Sequence, residues 1–487
     1  MLDKIKLLAS DTAVYGLFTI LGRFLNFMLT PLYTNYLTRQ ELGSVIYIFS
    51  IIAFINIIYS FGFETSFFRF FEKGRDERNK SVFTHSFLAI FSISALFSIL
   101  LFSGAVYYAP IALDSDNTVT LFKLAAVIPF LDAIMLIPYA RLRMLRKTWL
   151  FSITKFLLIV LAVAMNVVFV IFLDMGAEGV FYAQIIASGC GVLFFLPTII
   201  KHLKFKFDKL LFNDMLRFGL PTLPANLAAI ILQVADRPIL EWLTGSASAV
   251  AMYGVNYRLG IPMLLFVTLF EYAWKPFYLS NYKEQNAKEL FARVFTYFTM
   301  ASGVIFLVTS FFMEYIVQLP SVGGRLINPD YWPGMDIVPV ILAAYYFNGV
   351  FTNFVAGFLI TKNTAKIPVA VGSAAAFNVL LNLILIPFIG FRGAAWATLG
   401  AYAASALVIY IFQRKIYPVP YEWRRVFILV IAVGAVYFVG TAVDAVNLLT
   451  EILIKISFLF IMLLILFLLK FFNLEELSLL KRMIKIK

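Results

Sequence analysis

The chain has 487 residues, of which 62% are hydrophobic and 14% charged, and its mean hydropathy is +0.90. These values exclude a soluble protein, and the long apolar runs exclude an outer-membrane barrel, whose strands are about 10 residues long. The net charge of +13 is spread over short loops, so it does not indicate a nucleic-acid-binding surface. We predict an all-α, polytopic membrane protein, and we expect no cleaved signal peptide.

The apolar runs, separated by glycine, proline or charged residues, predict about fourteen membrane-spanning helices. Twelve or sixteen spans also keep both termini on one side of the membrane. In chain order the predicted spans are 12–36, 44–66, 82–108, 119–140, 149–173, 179–200, 213–236, 248–272, 291–319, 336–360, 366–389, 393–413, 426–446 and 448–472.

Most of the 40 lysines and arginines fall on alternate loops of this arrangement. Because basic loops are retained in the cytoplasm, we predict that both termini are cytoplasmic. Residues 473–487 place apolar side chains on one helical face and charged side chains on the other. This pattern predicts an amphipathic helix on the cytoplasmic membrane surface.

An internal repeat is visible in the sequence. Pro31 and Glu64 recur as Pro238 and Glu271, 207 residues later in both cases. The repeats begin six spans apart, and an even shift predicts two parallel repeats related by an axis along the membrane normal. The predicted units are a first six-helix bundle, a second six-helix bundle, and two further transmembrane helices with a tail, at residues 1–208, 209–417 and 418–487.

Two arginines lie well inside predicted spans. A charged side chain at the bilayer centre costs about 2.5–3.5 kcal/mol, so it normally faces protein or water. Arg23 and Asn26 lie one turn apart on the first span, and Arg258 lies on the eighth. If both arginines face one cleft between the bundles, they form a phosphate-binding site. The alternative is that each forms an interhelical ion pair or reaches the membrane surface.

Further charged residues lie in or near the spans. Lys155 is a weaker candidate for substrate binding, because it lies close to the cytoplasmic end of its span and can reach the surface. Asp132 lies in the middle of the fourth span and is a candidate counter-ion or protonation site. Asp236 and Arg237, directly before Pro238, are predicted at the outer end of the seventh span as a candidate outer gate.

The repeated glutamates lie towards the cytoplasmic ends of equivalent spans. Glu64 is followed by Arg69, and Glu271 by Lys275, each within about a turn. Interfacial salt bridges are the simpler interpretation, since such pairs are common and individually weak. A cytoplasmic gate that breaks and re-forms is the alternative.

No nucleotide-binding motif, metal-ligand cluster or catalytic triad is visible in the sequence, which has only two histidines. We therefore predict a transporter without a cofactor, and not an enzyme. The energy source expected for such a transporter is the membrane potential or an H⁺ or Na⁺ gradient.

Short motifs run through the chain in a characteristic order, and they extend over essentially its whole length. The motifs are Leu21-Gly22-Arg23, Thr30-Pro31, Phe61-Gly62-Phe63-Glu64-Thr65-Ser66-Phe67-Phe68-Arg69-Phe70, Ala140-Arg141-Leu142-Arg143, Leu216-Arg217-Phe218-Gly219-Leu220-Pro221 and Ala235-Asp236-Arg237-Pro238. By these motifs the sequence resembles polysaccharide transporters and O-antigen flippases, within the multidrug/oligosaccharidyl-lipid/polysaccharide exporter superfamily.

The resemblance implies a flippase in the bacterial inner membrane. Its substrate would be an undecaprenyl-pyrophosphate-linked oligosaccharide, moved from the cytoplasmic to the outer leaflet by alternating access for O-antigen, capsule, lipopolysaccharide or exopolysaccharide synthesis. We expect a monomer that works in membrane lipid, with a polysaccharide polymerase and chain-length machinery as partners and no nucleic acid. The alternatives are a lipid II-type flippase and a cation antiporter similar to multidrug and toxin extruders.

Overall fold

The computed structural model describes residues 2–113, 117–204, 207–443, 447–469 and 471–472, with the backbone alone described for residues 2–13. A π-helical turn follows α6 at Val167–Phe172, 3₁₀ helices cover Leu220–Thr222 and Pro329–Ile337, and β1 (Pro320–Ser321) and β2 (Gly324–Arg325) form a short antiparallel hairpin. The predicted helix at 473–487 lies outside the described residues. The helices α1 to α18 are, in order, Leu2–Tyr36, Arg39–Ser60, Phe63–Phe70, Asp76–Ala112, Thr118–Met144, Thr148–Asn166, Gly176–His202, Lys209–Gly219, Leu223–Val234, Asp236–Thr244, Ala247–Arg258, Ile261–Asn281, Ala287–Val317, Val338–Ile360, Lys366–Ile389, Phe391–Ile416, Trp423–Thr441 and Leu448–Leu468.

The prediction of an all-α, multi-pass membrane protein is confirmed. Within the described residues, twelve helical segments are long and apolar enough to cross a membrane, and the bent pair α11–α12 adds a thirteenth. Helix α1 has 35 residues but is not among them. The predicted number of fourteen spans is therefore not confirmed.

The connecting segments fall at two ends of the molecule because the long helices run back and forth. We call the end with the segments after α3, α5, α7, α12, α14 and α16 the basic end, since most lysines and arginines lie there, and the other the opposite end. We use first half for residues 1–208 and second half for 209–417 as sequence labels. The division of the chain into two six-helix bundles remains a prediction.

Helix α2 has well-defined ends. Thr38 and Glu41 form a capping box at its start, in which each side chain accepts a hydrogen bond from the other residue's backbone N–H. Such a cap contributes about 1 kcal/mol. At the other end Phe61 and Gly62 adopt left-handed conformations with φ of 43° and 76°, and α3 begins at the next residue. The predicted span 44–66 is therefore broken near its basic end.

The two halves touch closely at the opposite end, where α2 crosses α11. A Cβ atom on Gly43 would lie 1.8 Å from the carbonyl oxygen of Ala247, and one on Gly254 would lie 2.7 Å from the side chain of Ile46. Glycines at these two positions allow the helix backbones to approach within van der Waals contact. The two halves are therefore in direct helix-to-helix contact at this end.

A second close contact between the halves lies at the basic end. A Cβ atom on Gly62 would lie 2.2 Å from the carbonyl oxygen of Gly219, and the Ser66 hydroxyl donates to the Met215 carbonyl over 2.6 Å. Helix α8 therefore packs on α3 of the first half, although its sequence belongs to the second. It connects to α9 through the 3₁₀ turn Leu220–Thr222.

The hairpin β1–β2 is bonded to the first half at the opposite end. Asn35 on α1 donates to the carbonyl oxygens of Arg325 (2.6 Å) and Val322 (3.3 Å). Arg39 at the start of α2 donates to the Asp330 carbonyl over 2.6 Å. The segment between α13 and α14 thus fastens the second half to the first.

The last two helices pack on α13. Phe311 and Met462 belong to one apolar cluster with residues of α17. Lys455 on α18 donates to Glu451 over 2.6 Å and to the Tyr315 hydroxyl over 2.8 Å, so its charge is compensated. None of the cavity-lining residues described below comes from α17 or α18.

Candidate functional site

A cavity of about 830 Å³ lies between helices of the two halves. Its wall is mainly apolar, and its charged members are Arg23, Arg237, Arg258 and Glu271. Uncharged carboxamide and hydroxyl side chains complete its polar surface, among them Asn26, Asn166, Gln184, Gln233, Asn348 and Ser405. A mainly apolar cavity of this size with a few convergent polar groups is typical of a ligand site.

Arg23 reaches the cavity from α1 and is half-buried. Its Nη1 donates to the Thr268 hydroxyl on α12 over 2.5 Å, and that hydroxyl donates to the Leu264 carbonyl. No carboxylate of the described residues lies within ion-pair distance of Arg23. Asn26, one turn further along α1, is exposed to the same cavity. Among the described residues, the hydrogen-bond partner of Arg23 is therefore a neutral hydroxyl.

Arg258 is the last residue of α11, where the chain bends by 52° into α12. The bend places its half-buried guanidinium in the cavity, with Nη1 3.4 Å from the Thr30 hydroxyl on α1. It too has no carboxylate partner in the described part of the chain. Arg23 of the first half thus bonds to the second half, and Arg258 of the second half bonds to the first.

Arg237 on α10 is a third arginine in the cavity wall, and its charge is paired. Its Nη1 donates to the Asp236 carboxylate over 2.6 Å and to the Gln233 carbonyl over 2.7 Å. Asp236 also accepts hydrogen bonds from the hydroxyls of Tyr253 and Thr398. Both members of the pair are buried, at 2% exposure for Asp236 and 9% for Arg237. The pair is electrically neutral and firmly held.

The pair was predicted at the outer end of the seventh span, and in the structure it directly follows the candidate span Lys209–Val234. Its role as an outer gate stays a prediction. Pro238 does not end the helical path, because proline is tolerated in the first turn of a helix, where its missing N–H is not needed. Helix α10 begins at Asp236 and continues to Thr244, so the pair lies at the break between α9 and α10. Arg237 consequently faces the cavity instead of an outer loop.

Glu271 supplies the only carboxylate among the cavity-lining residues that the structure describes. No ion pair joins Glu271 to Lys275 within those residues, and Lys275 is exposed near the basic end of α12. Because Arg237 is neutralised by Asp236, the cavity holds two uncompensated arginines and one carboxylate. Its excess charge is positive.

Glu64, the repeat counterpart of Glu271, lies outside the cavity. Its carboxylate is 3.4 Å from Nη1 of Arg143 at the end of α5, and Arg69 forms no ion pair with it in the described residues. The predicted pairing of Glu64 with Arg69 is therefore not found. Residues five apart on a helix point in directions about 140° apart, so Arg69 faces away from Glu64.

Asp132 and Lys155 also lie outside the cavity. Asp132 on α5 accepts a hydrogen bond from the Ser188 hydroxyl over 2.8 Å. The Lys155 ammonium lies over the rings of Tyr139 and Phe151, at 5.1 and 4.8 Å from their centres. The structure therefore brings Arg23, Asn26, Arg258, Glu271 and Arg237 together, and places Asp132, Lys155, Glu64, Arg69 and Lys275 elsewhere.

The sequence analysis missed most of the neutral polar residues of the cavity. Gln184, Gln233, Asn348 and Ser405 were not considered. The structure shows that Asn166 accepts a hydrogen bond from Tyr33 while it lines the cavity. Carboxamides within apolar runs give the same signal as buried charges, but more weakly, since their insertion into the membrane costs less.

The arrangement is suited to an anionic ligand. A cation without a paired carboxylate in a membrane protein costs free energy, which a bound anion recovers. Guanidinium groups bind phosphate oxygens in a bidentate manner, and the threonine hydroxyls that now solvate both arginines are neutral and readily replaced. Two arginines from different helices therefore line one cavity.

Among solved structures, the lipid II flippase MurJ in an inward closed conformation matches with a TM-score of 0.74 at 14% identity, covering 92% of this chain and 98% of that chain. An inward-facing multidrug resistance MATE family transporter of the MOP superfamily matches with a TM-score of 0.60 at 14% identity, covering 81% and 94%. A mutant of the Vibrio cholerae MATE transporter VcmN gives 0.59 at 17% identity, covering 84% and 96%. These similarities show a shared transporter fold.

No curated protein matches the chain significantly. The profile of a family described as "Polysaccharide biosynthesis protein" matches residues 8–280, which include Arg23, Arg237, Arg258 and Glu271. The match extends over more than half of the chain and agrees with the resemblance found in its motifs. By this match, the chain is a member of the polysaccharide biosynthesis protein family.

Proposed function

We propose that this protein is a flippase that moves a polyprenyl-pyrophosphate-linked oligosaccharide from the cytoplasmic to the outer leaflet of the bacterial inner membrane. The observation that carries the proposal is the pair of uncompensated arginines, Arg23 and Arg258, in one cavity between the halves. A pyrophosphate carries two negative charges, which match these two cations.

Translocation requires that the cavity open to one side of the membrane at a time. The Gly43–Ala247 crossing joins the halves at the opposite end, and the Gly62–Gly219 crossing joins them at the basic end. We assign the basic end to the cytoplasm, because basic loops are retained there. Parting of α2 from α11 at the Gly43–Ala247 crossing opens the cavity at that end, while α8 stays packed on α3 and moves with the first half.

The membrane potential supports outward movement of the head group. With a negative cytoplasm, moving two negative charges outward across 100 mV is favoured by about 4.6 kcal/mol. An H⁺ or Na⁺ gradient acting through Asp132 or Glu271 is the alternative source. Imposed voltage and pH gradients in proteoliposomes separate the two: flipping that follows the pH gradient and ignores voltage would refute the electrophoretic scheme.

A lipid II-type substrate is the second candidate, and the fold similarity to MurJ at a TM-score of 0.74 favours it. Both substrate classes carry a pyrophosphate, so the two arginines serve either one. The excess positive charge of the cavity disfavours a cation antiporter. Competition between lipid II and a polyprenyl-pyrophosphate oligosaccharide in the same vesicles distinguishes the two flippase substrates.

The test is flipping of a fluorescent polyprenyl-pyrophosphate oligosaccharide in proteoliposomes by the variants Arg23→Gln and Arg258→Gln. A hydrogen bond to a charged group contributes about 1.5–3 kcal/mol, so each substitution is expected to reduce the apparent affinity roughly 10- to 150-fold. Arg75→Gln is the matched control, because Arg75 is exposed and pairs with Glu72 at the basic surface. Undiminished flipping by the double arginine variant would refute the phosphate site.

A further inference from the structure

One side of the cavity differs chemically from the region around Arg23 and Arg258. There Arg237 is paired with Asp236, so the wall carries a planar guanidinium without excess charge. Its Nη1 is engaged by Asp236 and by the Gln233 carbonyl, which fixes the plane of the group. A neutralised and immobile guanidinium attracts anions only weakly, but its remaining N–H groups can donate to uncharged oxygen atoms.

Tyrosine rings surround this pair. The guanidinium carbon of Arg237 lies 4.4 Å from the ring centre of Tyr257, whose ring packs edge-on against Tyr345 at 5.7 Å. Tyr402 of α16 lines the same side of the cavity. Aromatic faces pack against the C–H faces of ring-shaped ligands, while phenol hydroxyls both donate and accept hydrogen bonds.

Three further polar side chains on this side have unused hydrogen-bonding capacity. The side chains of Gln233, Asn348 and Ser405 line the cavity and make no hydrogen bond with the described residues. Ser405 is only 2% exposed overall, and it contributes to the cavity wall. These groups offer both donors and acceptors to whatever occupies the cavity.

We propose that this surface binds the uncharged, hydroxyl-rich sugar rings of the substrate, separately from the pyrophosphate held by Arg23 and Arg258. The inference rests on the proposed function and assigns a second subsite within the same cavity. We call it the neutral wall, and it consists of Gln233, Arg237, Tyr257, Asn348, Tyr402 and Ser405.

The composition of the neutral wall favours sugars over the other parts of the substrate. A pyrophosphate is attracted to the uncompensated charges of Arg23 and Arg258, and a polyprenyl chain has no use for carboxamides and hydroxyls. A sugar hydroxyl donates one hydrogen bond and accepts others, and the wall supplies both kinds of partner. All six residues come from the second half, so the sugar is held mainly by one side of the cavity.

The test compares binding of polyprenyl pyrophosphate without sugar with binding of polyprenyl-pyrophosphoryl glucose, galactose and N-acetylglucosamine to the purified, full-length protein. We expect at least one sugar-bearing probe to bind more tightly than the sugarless probe. Asn348→Ala and Ser405→Ala are each expected to reduce that preference roughly 2- to 13-fold and to leave sugarless binding unchanged. The double substitution Asp236→Asn/Arg237→Gln, which leaves no buried charge unpaired, should reduce the preference as well.

Arg23→Gln separates this inference from the proposed function. It should weaken binding of all probes by the same factor and keep the preference for sugar. If Arg23→Gln leaves sugarless binding intact, the phosphate site fails and the preference can still be measured. If the wild-type protein shows no preference, or if Asn348→Ala and Ser405→Ala weaken all probes equally, the neutral wall is overturned.

Discussion

Substituting Gly43 by alanine is expected to hold the opposite end of the molecule open. The new Cβ would lie 1.8 Å from the carbonyl oxygen of Ala247, whereas ordinary van der Waals contacts begin at 3.4 Å. The neighbouring atom is backbone, so it cannot rotate away as a side chain can. Helices α2 and α11 must therefore separate by about 1.6 Å, the difference between these two distances.

Overpacking of this kind costs about 1–3 kcal/mol. The cost applies to the state in which the crossing is closed, and it is relieved when α2 and α11 part. A destabilisation of about 2 kcal/mol shifts the ratio of closed to open molecules roughly 30-fold towards open. Flipping should slow, because the variant rarely completes closure at this end.

Distances between two spin labels at the opposite end measure this shift. Tyr107 on α4 and Thr244 at the end of α10 are exposed there, and replacing Cys190, the sole cysteine of the chain, leaves only the introduced thiols. Pulsed electron paramagnetic resonance should show a longer distance gaining population in Gly43→Ala.

The matched control is Gly372→Ala in α15, where a Cβ atom meets nothing within 4 Å. Alanine in this helix should leave the distance distribution and the flipping rate unchanged, because it adds no clash and has the higher helix propensity. An unchanged distribution in Gly43→Ala as well would refute the reasoning that this glycine permits closure.

Three further predictions concern buried and bridging polar groups. Asp236→Ala should lower the free energy of unfolding by about 3–5 kcal/mol, since it leaves the charge of Arg237 buried without a carboxylate. The double variant Asp236→Asn/Arg237→Gln should lose much less. Equal losses of the two variants in thermal unfolding would contradict this. Asn35→Ala removes two hydrogen bonds to the hairpin β1–β2. At about 1 kcal/mol each, their loss predicts roughly 30-fold faster amide exchange in the hairpin. Unaltered exchange would show that these bonds do not hold the hairpin in place. Tyr315→Phe removes the hydrogen bond from Lys455, so it should destabilise the packing of α18 by about 1.5–3 kcal/mol. The expected result is a lower melting temperature in detergent. A melting temperature equal to that of the wild type would count against it.

Charge in an apolar setting made part of the cavity predictable. Arg23 and Arg258 are conspicuous in the sequence because their insertion costs free energy, and the structure places both in one cavity. Whether they hold substrate is still a prediction. The paired Arg237 was visible for the same reason, but its position depended on whether Pro238 ends or begins a helix. That choice is made by packing, which a single sequence does not show.

Contacts between distant segments were beyond sequence reasoning. Glu64 pairs with Arg143 of α5 and not with Arg69, because residues five apart on one helix point in directions about 140° apart. In the sequence the glycines mark only breaks between apolar runs and parts of short motifs, and the structure shows which glycine meets which backbone. The all-α fold followed from composition, since a bilayer leaves few alternatives.

Helix α8 docks on α3 across the sequence boundary between the two copies of the repeat. The repeat places the start of the second copy at Lys209, yet the first eleven residues of that copy are attached mechanically to the first. If the two copies move relative to each other as proposed, the boundary between the moving parts therefore lies after α8 and not at the covalent boundary between the copies. Any relative rotation of the two parts must be taken up by the three residues Leu220–Thr222. A change in the length of this turn should therefore change how far the two parts can rotate. A longer connection before Lys209 should not.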